Sequence, residues 1–284
     1  MADGEEKGKW FKLDFLPVYI FIIGEIALFL MFIISPIDYT YLPYLKENPD
    51  MVQAVLLAIG IGMLVFAYFK FLSKYISSPN ETRLTVLLSL ICFLGAFILK
   101  LYMNFSRYVD SQLNRYFFNM VVLLLMVTLY LFNLFGISIL ITPENQVNVT
   151  RWKKSLIIFL TTTYVIFFGK TALRIYDNSL TFDIVENITN VAMYAYMGYN
   201  VVILITMSFK SATLAMRAHD PVVQSGLRFL AISLMLLVGG VVILLISELL
   251  AFIVILETIT VFLGVVSFVF IYFGFVRPSV SKNG

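Results

Sequence analysis

Four charged side chains stand in runs otherwise suited to hydrocarbon: Glu25 in "FIIGEIALFL", Lys100 in "FILKLYM", and Lys170 and Arg174 in "FFGKTALRIYD". An ionisable group in the bilayer core costs roughly 2.5 kcal/mol or more, so it is kept where it faces a partner, a ligand or an ion pathway. Cations there capture anionic groups, whereas a carboxyl exchanges a proton or holds a cation. Lys170 and Arg174 are four residues apart and share one helix face, which Thr163 and Phe167 continue inward. Glu186, Asn190 and Tyr194 repeat the same step further along the chain. Glu25 lies near the middle of its run, too deep for a short side chain to reach water. It is expected to face the bundle, and to be neutral or paired with a cation or an amide.

The elements that position these residues follow from hydropathy. The chain of 284 residues is 61% hydrophobic and 13% charged, against about 25% charged in an ordinary soluble domain, and its mean hydropathy is +0.94. A helix crosses the hydrocarbon with roughly 20 apolar residues. Eight runs qualify: 15–35, 51–71, 84–103, 117–141, 155–175, 188–209, 227–247 and 254–276. The last two are nearly continuous, and a hairpin near Ser247–Leu256, flanked by Glu248 and Glu257, is the expected break. The reading is an all-α, polytopic transmembrane helical bundle of eight spans, with seven as the alternative. Residues 1–14 form a cytoplasmic segment, 15–276 the bundle and 277–284 a cytoplasmic tail. Localisation is the cell membrane, multi-pass.

Basic residues orient the bundle. With the N-terminus inside, the inner segments hold Lys7, Lys9 and Lys12, then Lys70, Lys74 and Arg83, then Arg151, Lys153 and Lys154. Lys210, Arg217 and Arg228 follow, and Arg277 and Lys282 close the series. The other six, Lys46, Lys100, Arg107, Arg115, Lys170 and Arg174, fall on the outer side or at outer helix ends, as the positive-inside rule requires. At a rise of about 1.5 Å per residue, Lys100 and Lys170 both lie roughly 24 Å from the inner edge. The expectation is an outward-facing polar cup of Lys100, Lys170, Arg174, Glu25, Glu186 and Tyr194. It would take a small-molecule or lipid ligand, anionic or amphiphilic in character. Helical spacing leaves a second orientation open for the cations, with stems in lipid and heads among phosphates.

Several classes of chemistry are disfavoured. One cysteine, Cys92, and one histidine, His219, far apart in sequence, give no metal-ligand set and no Ser-His-Asp arrangement. No phosphate-binding glycine loop, dinucleotide fingerprint or H-E-x-x-H is present. No enzyme activity, metal, cofactor or nucleic-acid partner is expected. Asn119 and Asn133 are expected to act as interhelical glue, as are the hydroxyls of Tyr194, Tyr196 and Tyr199. "GIG" at Gly60–Gly62 and "GG" at Gly239–Gly240 permit close helix approach or a kink.

One inner connection has its own character. "AMRAHDPVVQSGLRFLAISL", Ala215–Leu234, places Arg217, His219, Asp220 and Arg228 around an Asp-Pro turn. The pattern A-x-R-x-x-D-P-x-x-x-x-x-L-R-F-L-A-I resembles loops in multi-span membrane sensor regions of bacterial and archaeal signalling proteins. In those proteins a bundle of seven or eight helices precedes a kinase or other output domain. The resemblance implies a stand-alone receptor-like bundle of prokaryotic type. It would pass its signal through Arg217, His219, Asp220 and Arg228 to a separate protein partner at the cytoplasmic face. Two other expectations stand beside it: a transporter or channel using the intramembrane carboxylate Glu25, and a scaffold subunit of a larger complex.

Overall fold

The computed structural model describes residues 13–34, 44–45, 50–107, 111–140, 146–176, 183–249 and 254–275. Each of the eight apolar runs forms a helix. A 3-10 turn, Leu13–Phe15, leads into α1, Leu16–Ile34; α2 is Met51–Ser77 and α3 is Glu81–Phe105. Then come α4, Ser111–Leu140, α5, Gln146–Tyr176, α6, Asp183–Arg217, α7, Pro221–Leu249, and α8, Val254–Phe275. Two short strands, β1 (Tyr44–Leu45) and β2 (Ser106–Arg107), pair antiparallel with Tyr44 opposite Arg107. The expected hairpin between the last two spans falls on 250–253, outside the described residues.

Helices α2 to α7 each contain a segment long and apolar enough to cross a membrane; the apolar segments described in α1 and α8 are shorter. Several helices outrun the apolar stretch that marks them. α5 begins nine residues before its run and α6 continues eight beyond, because backbone hydrogen bonding does not stop where the hydrocarbon-compatible sequence does.

The surface is as informative as the core. On α2, Ala54, Leu57, Gly60, Leu64, Ala67 and Phe71 form the buried stripe, while Val52, Val55, Ile59, Met63, Phe66 and Phe69 are exposed. Both stripes follow helical spacing, and both are apolar but for Gln53 at the start of the buried one. A surface helix in water has a polar outer face. α1 goes further: Val18, Phe21, Glu25 and Leu28 are buried, and Ile22, Ile23, Ile26, Phe29 and Leu30 are exposed. Its acidic residue is inside and its isoleucines are outside. By contrast α4 is enclosed on all sides, every residue from Met126 to Ile137 being buried.

The chain divides into two compact units. One comprises Met1–Thr40 and Glu144–Tyr196, the other Tyr41–Pro143 and Met197–Gly284. In the smaller unit α1 and α5 run parallel and in register. Asp14 pairs with Lys153 at 2.7 Å, and Glu25 meets Tyr164, both with a sequence separation of 139.

In the larger unit directions alternate. Asp50 and Asn104 clasp the start of α2 to the end of α3: Asn104 Nδ2 donates to the Asp50 carbonyl at 2.8 Å, and the Asp50 N–H donates to Asn104 Oδ1 at 3.3 Å. Asp50 also N-caps α2, accepting from the Gln53 N–H at 3.0 Å. At the other end Arg83 Nη1 donates to the carbonyls of Lys74 and Ser78, at 2.8 and 2.7 Å, tying the start of α3 to the end of α2. Ser208 and Ser211 of α6 donate to the carbonyls of Ala231 and Leu227 of α7, an antiparallel sequence of contacts. Ser233 of α7 and Ser267 of α8 lie 3.0 Å apart. α4 and α6 run parallel, with Asn133 against Asn200 and Gly136 against Met207. Within this unit, helices of the same parity in the chain run parallel and those of opposite parity antiparallel.

Small residues set the closest approaches. Of the glycines singled out in the sequence, Gly60 is the one that packs tightly: a Cβ there would sit 2.6 Å from Phe97 Cε2 and from Val265 Cγ2, whereas at Gly62 nothing lies within 4 Å. Gly239 and Gly240 meet only ordinary contacts with Leu263 and the Thr260 carbonyl. Gly60→Val therefore should lower the thermal midpoint in detergent by several degrees, in line with an overpacking cost of about 1–3 kcal/mol. Gly62→Val should leave it unchanged, and a fluorescence-based melting curve compares the two.

Candidate functional site

The buried polar centre of the smaller unit is built from three consecutive choices in the sequence. Glu25 is 9% exposed, on the inward stripe of α1. Tyr164 of α5 brings its hydroxyl to 3.3 Å from Glu25 Oε1 and 3.2 Å from the Phe21 carbonyl one turn earlier. Gly24 makes the approach feasible. A Cβ at that position would collide with the Tyr164 hydroxyl and lie 2.9 Å from Cε1 and Cζ of its ring. The Phe21 ring holds the tyrosine edge-on, with centroids 5.5 Å apart.

The hydroxyl has one proton to donate and two acceptors at nearly equal distance. Glu25 Oε2 is enclosed and has no hydrogen-bond partner among the described residues. An unsatisfied carboxyl oxygen in the protein interior is costly, and such orphans ask for a functional explanation. The arrangement is suited to taking up and releasing a proton or a small cation.

The other residues expected in the cup stand on α3, α5 and α6. Lys170, on α5, is 8% exposed, on a stripe shared with buried Thr163 and Phe167. Protein therefore encloses the side chain. Tyr194 on α6 is half-buried. Arg174 and Glu186 lie within α5 and α6, but their side chains fall outside the described residues. Lys100, half-buried on α3, belongs to the larger unit.

Arg217, His219, Asp220 and Arg228 are all exposed around a turn of three residues between α6 and α7. Asp220 accepts from the Val222 N–H at 2.8 Å and Pro221 opens α7, a capping arrangement that uses the missing proline N–H where no partner exists. Arg217 in the last turn of α6 complements that helix's negative end.

A second buried polar contact joins Asn133 of α4 to Asn200 of α6, both 0% exposed, with Asn133 Nδ2 donating to Asn200 Oδ1. Asn133 thus forms the interhelical contact anticipated for it. Tyr164 was missed by sequence reasoning, which followed the Thr163–Phe167–Lys170 face one residue away. A signal existed: Glu25 and Tyr164 each lie eleven residues beyond Asp14 and Lys153, so opposite charges just before the two apolar runs mark equal heights.

If Gly24 is the notch for Tyr164, Gly24→Ala should melt several degrees below the parent protein, while Gly169→Ala on α5, where nothing lies within 4 Å of the added carbon, should not. Equal melting of the two variants would contradict the notch. No family model, curated protein or solved structure matches the chain.

Proposed function

We propose that the chain is a multi-pass membrane protein of eight spans, with both termini cytoplasmic, that couples movement of an ion or solute to Glu25. The observation that carries this reading is the buried Glu25 carboxyl, held by one tyrosine hydroxyl and left with one enclosed oxygen open. Polar groups maintained at that cost within a membrane helix mark ion paths and proton relays.

The topology draws on two features. α3 and α7 both run antiparallel to α8, through Phe93 against Phe268 and Phe229 against Phe270, so they start at the same end of the larger unit. That end carries Lys74, Arg83, Arg217 and Arg228, the density expected of a cytoplasmic face. α1, with 19 residues, is about 28 Å long, close to the hydrocarbon thickness. Cysteine introduced as His219→Cys in a Cys92→Ser background should react with an impermeant maleimide only after the cytoplasmic side is opened. Labelling of intact cells would overturn the orientation.

The receptor-like reading is favoured by one separate observation, the burial of Lys170, which gives α5 a cation directed into protein where an anionic ligand would meet it. Ion jumps over proteoliposomes on a solid-supported membrane distinguish the two. Coupling through Glu25 gives a transient current on a proton, sodium or potassium jump that falls at least tenfold in Glu25→Gln. A silent wild type, or equal currents in the two proteins, contradicts the transport reading.

A further inference from the structure

We infer that the ion exchanged at this site is a proton, and that the Tyr164 hydroxyl changes acceptor with the charge state of Glu25. The inference rests on the coupled reading of Glu25 and deepens it by naming the ion and the residue that responds to it.

The donor set decides the ion. Among the described residues, the oxygens joined by hydrogen bonds here are those of the Glu25 carboxyl, the Tyr164 phenol and the Phe21 carbonyl. Calcium takes six to eight oxygen ligands, and magnesium near-ideal octahedral geometry with several retained waters. One carboxyl, one phenol and a carbonyl that already serves its own helix fall short of either shell. A proton needs a single oxygen with a free lone pair, and Oε2 is that oxygen: enclosed, and without a partner among the described residues. The step balances simply. A hydronium ion gives its proton to the carboxylate, leaving a neutral carboxylic acid and water, and release is the reverse.

The two acceptors of Tyr164 supply the response. At 3.2 and 3.3 Å, both contacts are longer than a well-formed O–H···O bond, and the hydroxyl reaches either by turning about its own C–O bond. An ionised carboxylate is the stronger acceptor, since hydrogen bonds to charged groups are roughly twice as strong as neutral ones. The hydroxyl therefore points to Glu25 Oε1 when the carboxylate is charged. When Glu25 holds its proton, the Phe21 carbonyl competes on equal terms. Tyr164 is a positioning residue: it acts through Glu25, and Gly24 gives it room.

α1 packs on α5 and on its own leading 3-10 turn. The titratable and charged groups along these elements are Asp14 and Lys153, ion-paired about three turns away, Arg151 and Lys154 beside Lys153, Tyr19 on α1, Tyr164 at the carboxyl, and Lys170, Arg174 and Tyr176 further along α5. Tyr164 is the one whose polar atom contacts the Glu25 carboxyl among the described residues.

Infrared difference spectra of the protein in liposomes, stepped from high to low pH, read the carbonyl stretch of a newly protonated carboxyl. The band should appear in the wild type, vanish in Glu25→Gln and persist in Glu25→Asp. In Tyr164→Phe both its frequency and its titration midpoint should shift. Adding sodium or potassium chloride at fixed pH should leave it unchanged. A band surviving in Glu25→Gln, or displaced by either metal ion, overturns the proton site. A band unmoved in Tyr164→Phe overturns the change of acceptor. A band that titrates as expected in a protein giving no ion-jump current leaves the proton site standing and removes the transport reading. Sodium or potassium currents lost in Glu25→Gln, without a titrating band, do the opposite.

Discussion

Hydrocarbon offers a polar group no partner, so every donor and acceptor on a membrane helix must be answered by the protein itself. That constraint explains where the few polar side chains of this chain sit. Serines and threonines return their hydrogen bonds to carbonyls of their own helix, as Thr163 does to Phe159 and Thr171 to Phe167. Others reach a neighbouring helix, as Ser208 and Ser211 do. Asn133 turns to Asn200, where a contact of this kind contributes about 0.6 kcal/mol in a membrane. Glu25 is the costliest member of the set and is answered only in part, by one hydroxyl that it shares with a backbone carbonyl.

The same constraint inverts the usual arrangement of helix faces. α1 hides a carboxyl and exposes isoleucines, and α2 is apolar on both stripes. With lipid outside there is little hydrophobic gain in bringing helices together, so close packing and small residues do the holding. Gly60 against Phe97 and Val265, Gly136 against Met207, and Gly24 against Tyr164 are places where a missing side chain is what lets neighbours meet. In the smaller unit the glycine notch serves more than packing, because it delivers a hydroxyl to the carboxyl. Packing, polar satisfaction and the chemistry of the site thus converge on three residues, Gly24, Glu25 and Tyr164.

The helices were legible because hydropathy acts over twenty residues at a time: each of the eight runs is a helix, and even the crowded stretch after Arg228 resolves into α7 and α8. The burial of Glu25 was legible too, since a short side chain that deep has nowhere else to go. What the sequence did not convey is which helix answers it. Spacing along one helix fixes a face but carries nothing about its neighbour. Attention went to cations on α3 and α5 because charge is visible in a sequence, whereas a tyrosine in the run "TTTYVIFF" looks like packing. The cup of six residues rests on depth and on helix faces. Depth says which side chains lie at one level, not which share a contact. The local structure of the Asp-Pro turn is that of a helix cap, with Asp220 accepting from the Val222 N–H.

The central claim is that Glu25 is a carboxyl which exchanges a proton from within the membrane. A hydrophobic carbodiimide tests it most directly, because it enters the bilayer and forms a stable adduct with a protonated carboxyl. Peptide mass spectrometry after labelling in liposomes should place the adduct on Glu25, with yield falling as pH is raised and none at that peptide in Glu25→Gln. Absence of an adduct on Glu25 at every pH, with the protein folded and other carboxyls labelled, would contradict the account.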